Sequence, residues 1–479
     1  MQLIWFKQDL RLHDHTALWH ATQTGPTIAA TVLSPDQWRL HDDAPIKIDF
    51  YLRQLESLKV ELDTLNIPLV VLNVPLWQHI PEALLKLCQQ LNIQKVHSHI
   101  EAGIHEQQRD TLIQQKLEQH HIETMFYHDR TLFPLGSIRN QSHAPYQVFG
   151  AFKKKCYEQL SIALAPCFAA PDVQAPIQDL KFEHLNVYTA IPKVQTFYPD
   201  FQAQKVWPVG ETYAFDLLDG FIDDHVNHYH IERDLPHIQG TSQLSAYLNI
   251  GVLSIRQCVQ ALFRAQHGQL YFDSQGQQTW LDELLWREFY QHILYDFPQV
   301  SKHQPFKANT TKIKWRDLND PIVMDDFEAW KYGQTGIPIV DAGMRQMLAI
   351  GWMHNRVRMV VAMFLSKNLL IDWRLGEQWF MQHLIDGDLA ANNGGWQWCA
   401  STGTDSVPYF RVFNPVSQSE KFDAHGDYIR QWVPELAHLD AKTIHAPYAK
   451  NKQLNLNYPK PIVDLKPSRL RAIEAFKGI

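Results

Sequence analysis

From Met1 to about Arg130 the chain keeps changing its hydrophobic period, and that alternation leaves few folds open to it. Short apolar runs at residues 3–6, 27–33, 68–73, 95–99 and 122–127 read as buried strands. Helical spacing lies between them. Tyr51, Leu55, Leu58, Leu62 and Leu65 recur at 4-3-4-3 and share one helix face, as do Ile80, Leu84, Leu87 and Leu91. Strand alternating with helix implies a parallel α/β sheet with right-handed crossovers, here over residues 1–130. No G-x-G-x-x-G occurs, so this is not a standard dinucleotide site, although a ligand would still sit at the carboxyl ends of the strands. Over 131–206 the pattern loosens and proline recurs, which predicts a connector wrapping the surface with one helix near 149–160. Over 207–479 helical periodicity dominates and strand signals nearly vanish, so a mostly helical domain is expected there. A chain of 479 residues has room for both domains.

A formal net charge of -7 argues against a protein that coats nucleic acid by global charge, but allows one local basic groove. The five cysteines are scattered, with no C-x-x-C, and point to a reducing cytoplasm. The N-terminus runs straight into a strand pattern and no apolar run reaches transmembrane length, so a cytoplasmic protein with no membrane partner is expected. The outlier is tryptophan: fifteen residues, about twice average usage.

Residues 373–415 carry the densest chemistry. Asp386, Asp388, Asn392, Asn393, two glycines and the Trp396–Trp398 pair fall within about a dozen positions. Carboxylates and amides are costly to bury unless hydrogen-bonded, and indoles seek cover. Polar groups crowded among plates suit a flat, polar-edged heteroaromatic ligand.

Gly240-Thr-Ser-Gln-Leu-Ser245 precedes a helical pattern, either as a plain N-cap or as donors for an anion. Tyr229, Arg233 and Arg287 could add to a phosphate site. Residues 280–290 read as one helix with Glu283, Trp286, Arg287 and Tyr290 on one face. Glu283 with Arg287 would be a surface ion pair, but a Trp beside it is unexpected on a solvated face. A further helix puts Asn355, Arg358, Met359 and Ala362 on one side, with Asp386 or Asp388 as partners, structural or functional. His225, His228 and His230 lack a completing ligand, and no H-E-x-x-H exists, so no metal is expected. Lys153, Lys154 and Lys155 read as a solvated helix face. No G-x-S-x-G supports acyl transfer.

Together these segments resemble the photolyase/cryptochrome flavoproteins over nearly the whole chain. The motifs are Trp5-Phe-Lys-Gln-Asp-Leu-Arg11, Tyr146-Gln-Val-Phe149, Gly240-Thr-Ser242 and, most densely, 280–415. The nearest branch is the bacterial class I cyclobutane pyrimidine dimer photolyases of the folate-antenna type. Lys7 departs from it, where the family usually has Arg. The resemblance implies a Rossmann-like α/β domain followed by a larger helical domain that holds a folded-back FAD. It implies that Thr241, Ser242, Leu244, Ser245 and Arg287 hold the pyrophosphate, and that Tyr229, Trp280 and Trp352 pack the cofactor. Arg358 and Asp386 would pair beside the isoalloxazine, Asp388 would accept from the ring edge, and Asn392 would face N5. Trp286 and Trp398 resemble the walls of a pocket for a flipped dimer. Glu283, Asn355, Arg356 and Met359 would line it, with Arg233, Arg356 and Arg411 on phosphates. Trp396, Trp373 and Trp315 resemble an electron-hopping chain from flavin to surface. His41, Glu106 and Lys302 match positions that hold methenyltetrahydrofolate between domains, although His105 and Ser301 depart from the pattern and Glu106 alone reads equally as a surface carboxylate. The implied reaction is redox-neutral. Light excites reduced flavin, an electron opens the dimer's cyclobutane ring, and the electron returns. A monomer acting on ultraviolet-damaged DNA is expected.

Three alternatives differ on the residues. A six-four photolyase places two histidines four apart in the pocket, where this chain has Asn355 and Met359. A cryptochrome, a light sensor, often alters the pocket tryptophans or the N5 asparagine, which here are Trp286, Trp398 and Asn392. An ordinary flavin oxidoreductase would turn over in the dark.

Overall fold

The structure is a computed structural model describing residues 1–479 apart from 179, 204, 267, 269–271 and 450–454. Five parallel strands, β1 (Gln2–Phe6), β2 (Thr27–Leu33), β3 (Leu69–Asn73), β4 (Lys95–His99) and β5 (Glu123–Tyr127), alternate with helices as the periodicity requires. The order is β5-β4-β1-β2-β3-β6. The chain therefore reverses direction across the sheet beside β1, and the carboxyl ends of β1 and β4 form its switch point. Period-2 alternation sends Leu3 and Trp5 into one core layer and Ile4 and Phe6 into the other, so both faces are buried. β6 (Val187–Tyr188) was not foreseen. It comes from the 131–206 stretch, which returns to the sheet and pairs antiparallel with β3. A two-residue strand is too short for any period to show. The same stretch contains the expected helix, Phe149–Ile162.

The second half contains no strand among the described residues. Its spine is the helix Gln275–Asp296, opened by a capping box between Ser274 and Gln277. Two hydrophobic clusters flank this half's centre. One gathers Tyr229, Trp280 and Trp352, the other Trp330, Trp373 and Trp396. Helices approach closely where glycine allows it. A Cβ on Gly376, in the helix Trp373–Met381, would collide with the Trp396 ring, and one on Gly394 with the Tyr290 ring. The domains are latched by Arg256, which donates to Asp14 at 2.9 Å and to Asp129 at 2.6 Å. No helix among the described residues is long and apolar enough to cross a membrane.

Candidate active site

The helix Leu389–Ala400 keeps one side accessible. Ala391 is exposed, and Asn392, Gly394, Gly395 and Trp398 are half-buried. Tyr229, Trp280 and Trp352 are buried in one hydrophobic cluster, with Trp286 on its edge; Met359 and Trp398 pack on the edge of the other.

The cofactor end has the donors the sequence suggested. Arg358 donates to both oxygens of Asp386 at 3.0 and 2.9 Å, forming the expected pair. Arg287 donates to the carbonyls of Arg130 at 2.9 Å and Leu248 at 3.5 Å, and meets no carboxylate among the described residues. Burial and the neighbouring Arg130 lower its pKa. Leu248 lies on the short helix Ser245–Asn249 that Thr241 and Ser242 lead into, and among the described residues the hydroxyls of Thr241, Ser242 and Ser245 make no hydrogen bond. A half-buried guanidinium that meets no carboxylate and three hydroxyls without hydrogen bonds, all among the described residues, fit a pyrophosphate. Leu244 is buried beneath them. Asn392 donates from Nδ2 to the Glu377 carbonyl at 2.9 Å, which leaves Oδ1 facing outward as an acceptor.

Asp388 departs from expectation. Its carboxylate accepts from Arg130 at 2.7 Å, from Gln291 at 3.0 and 3.2 Å and from the Ala391 N–H at 3.0 Å. Burial alone would raise its pKa, but Arg130 and Arg287 hold it down to about 2. Its oxygens cap a helix and join an ion pair, contacts the sequence reading had not assigned to it. Arg130, from the other domain, gave no local signal that it would arrive.

At the substrate end Glu283 pairs with Arg233 at 2.6 Å rather than with Arg287 one turn along its own helix. Burial raises the Glu283 carboxyl despite that guanidinium. Trp286 lies flat on Phe149, centroids 3.7 Å apart at 13°, and 5.6 Å from Tyr290. Asn355 is exposed at the start of its helix, and Met359 is half-buried. Arg356 pairs with Asp234 at 2.6 Å, a partner the sequence reading missed, while Arg411 is exposed and makes no ion pair among the described residues.

Trp396 and Trp373 are 2 % and 1 % exposed, and Trp315 is part-exposed against the same cluster. The Trp396 indole N–H meets no acceptor among the described residues. Trp330, which sequence reasoning did not single out, stands edge-on to Trp396 at 6.0 Å.

His41, Glu106 and Lys302 come together around a cavity of about 320 Å³ between the domains, beside Trp38 and Trp77. His41 stands edge-on to Trp77 at 4.6 Å. Burial pushes the Glu106 carboxyl up to about 7. Lys302 is exposed at the rim, and the inner wall reaches Arg130 and Asp388. Lys7, the family departure, sits below, donating to Asp110 at 2.8 Å.

One buried group, Asp9, His15 and His99, has metal-like spacing at the switch point of the sheet. The rings argue otherwise. The Leu18 N–H donates to His15 Nδ1 and the Ala17 N–H to His99 Nε2, each at 3.0 Å. Those two nitrogens are taken by backbone donors, and the opposite nitrogens lie 3.5 Å (His15) and 2.7 Å (His99) from Asp9 Oδ2. The trio is a buried carboxylate flanked by two rings that backbone N–H groups already occupy.

An α/β domain latched to a helical domain that carries two aromatic clusters and the Arg358–Asp386 pair is the architecture of a two-domain flavoprotein class. Residues 2–173 match the family described as DNA photolyase, and residues 280–478 the FAD binding domain of DNA photolyase. The chain belongs to the DNA photolyase family. It is 42 % identical to the deoxyribodipyrimidine photo-lyase of Vibrio cholerae, over 100 % of both chains, and 39 % identical to that of Escherichia coli, over 99 % of this chain and 98 % of that one. A class III photolyase from Agrobacterium tumefaciens superposes with TM-score 0.83 at 32 % identity, covering 99 % of this chain and 96 % of that one. A Synechocystis cryptochrome superposes with TM-score 0.85 at 29 % identity, covering 99 % of each, so the fold alone does not separate enzyme from sensor. A Sulfolobus tokodaii photolyase, described with two FAD molecules, superposes with TM-score 0.82 at 27 % identity over 100 % of both chains.

Proposed function

We propose that this chain is a light-driven lyase that splits cyclobutane pyrimidine dimers in DNA. The observation that carries it is the pair of part-exposed indoles Trp286 and Trp398, one on each aromatic cluster of the helical half, with Asn355 and Met359 where proton-transferring histidines would stand in a six-four enzyme. Full-length relatives named deoxyribodipyrimidine photo-lyase support it. FAD, when bound, supplies the photoexcited electron. The residues do the rest. The phosphate clamp is Thr241, Ser242, Ser245 and Arg287. Tyr229, Trp280 and Trp352 pack the cofactor, and Arg358 with Asp386 fixes its edge. Trp286 and Trp398 stack on an extruded lesion, which costs less to flip than normal bases. Glu283, whose carboxyl burial raises above its ordinary range despite Arg233, hydrogen-bonds the lesion and stabilises charge that develops there. Arg233 and Arg411 offer positive charge to phosphates.

The interdomain cavity is read as the seat of a light-harvesting chromophore, methenyltetrahydrofolate, with Glu106 on its polar edge and His41 and Trp77 against its plane. The protein is read as a cytoplasmic monomer, and its five cysteines are all free thiols. Purified protein is mixed with ultraviolet-irradiated oligothymidylate, and dimers are counted with and without blue light. Loss only in light is expected. No loss, or loss in the dark, would overturn the reading in favour of a sensor or a dark oxidoreductase. Heat extraction and chromatography of the released chromophores identify both ligands.

A further inference from the structure

Asn392 is held by groups that begin at the domain boundary. His303 has φ +54°, a left-handed conformation uncommon outside glycine, and its ring lies against the helix Trp373–Met381. Its Nδ1 is 3.0 Å from Glu377 Oε2. The His303 side chain is 54 % exposed and Glu377 only 1 %. Glu377 Oε1 accepts from Asn393 Nδ2 at 2.9 Å, and the Glu377 carbonyl accepts from Asn392 Nδ2 at 2.9 Å. Gln397 closes the set by donating to Asn393 Oδ1 at 2.7 Å. A carboxylate taken fully out of water is costly unless paired, and among the described residues His303 is the one basic side chain within ion-pair distance of it.

We propose that His303 and Glu377 are a positioning pair for Asn392, fixing its amide so that Oδ1 is the group offered to flavin N5. The inference rests on the reading that Asn392 faces N5. An amide with its NH2 held on a carbonyl presents an acceptor on its other side. Reduced flavin carries a hydrogen on N5 and satisfies that acceptor, whereas oxidised flavin offers a lone pair that it repels. The pair therefore favours the reduced cofactor, which the repair reaction needs.

The pair is also pH-sensitive. The hydrogen bond to Glu377 raises the His303 pKa against the opposing effect of burial. Asp42 across the boundary adds to the rise, and Arg374 on the same helix as Glu377 works against it. Arg374 also donates to the His303 carbonyl at 2.7 Å. Below the raised pKa the pair is ionic; above it the charge on His303 is lost and the grip on Glu377 weakens.

The test uses holoprotein with photoreduced flavin and follows reoxidation in air over about pH 5–8, the range in which histidine titrates, for wild type, His303→Gln, Glu377→Gln and Asn392→Ala. Wild-type reoxidation should quicken as pH rises. His303→Gln should lose that pH step and keep its FAD. Glu377→Gln should reoxidise about tenfold faster at low pH, the scale of one charge-assisted hydrogen bond. Should Glu377→Gln fail to fold, the half-exposed His303→Gln carries the test. A pH step that persists in His303→Gln overturns the pair, as do unchanged rates in both variants while Asn392→Ala reoxidises faster. Unchanged rates in Asn392→Ala as well would instead refute the placement of Asn392 at N5.

Discussion

Asp388 and Glu106 line one cavity, and burial pushes both carboxyls upward, yet they end at opposite extremes. Arg130 touches Asp388 at 2.7 Å and keeps it near 2, whereas among the described residues no cation hydrogen-bonds Glu106, which sits near 7. The sign of the resulting pH dependence follows. Folded Glu106 keeps its proton above the ordinary value of 4.5, so the folded state binds more protons than the unfolded one, and stability falls as pH rises from about 4.5 to 7. Glu106→Gln should flatten that slope in thermal melts. A cavity ligand offering N–H donors should bind the ionised carboxylate, so its affinity should rise through pH 7 in wild type only, read by near-ultraviolet absorbance. At the lesion pocket, Trp286→Ala should weaken binding of dimer-containing DNA by about 1–3 kcal/mol, roughly five- to hundredfold or more, the worth of one stacked base. The flavin spectrum should be unchanged, because Trp286 rests on Phe149 and not in the buried cofactor wall. Equal affinities in a filter-binding assay would remove its stacking role.

Elements decide which side chains can meet. The 3.6 period places Glu283, Trp286, Arg287 and Tyr290 on one face of a single helix, and that much is legible in sequence. Their partners arrive from elsewhere: Arg233 reaches Glu283, and Phe149 covers Trp286. A local i,i+4 pairing lost to a cross-chain one because Arg287 points to two carbonyls instead. The contact between the helices Trp373–Met381 and Leu389–Ala400 is a second case, since a Cβ on Gly376 would come within 2.2 Å of the Trp396 ring. Gly376→Ala should overpack that contact and cost about 1–3 kcal/mol by thermal melting. Trp396→Phe should keep the packing but remove the oxidisable indole. Light should then fail to reduce oxidised flavin, while chemically reduced enzyme still repairs dimers. Parallel loss of repair would mean that Trp396 is not a conduit to the surface.

Across the whole molecule, the two domains are joined by buried charge. Arg256 spans from the helical half to Asp14 and Asp129, and Arg11 also reaches Asp129. Arg256→Ala would leave buried carboxylates short of a cation and should cost about 3–5 kcal/mol, measured as a lowered unfolding midpoint. Because the cavity holding His41, Glu106 and Lys302 lies between the domains, chromophore occupancy should fall with it. The sequence alone determined the strand–helix alternation, the helical second half and the concentration of amides, carboxylates and indoles in residues 373–415. Those are properties of near neighbours, and period and composition report them directly. Tertiary structure alone decided that Arg130 takes Asp388, that Arg233 takes Glu283, that β6 closes the sheet edge and that Glu377 lies under Asn392. Each pairs groups far apart along the chain, where no local spacing records the meeting and only packing brings charge to charge.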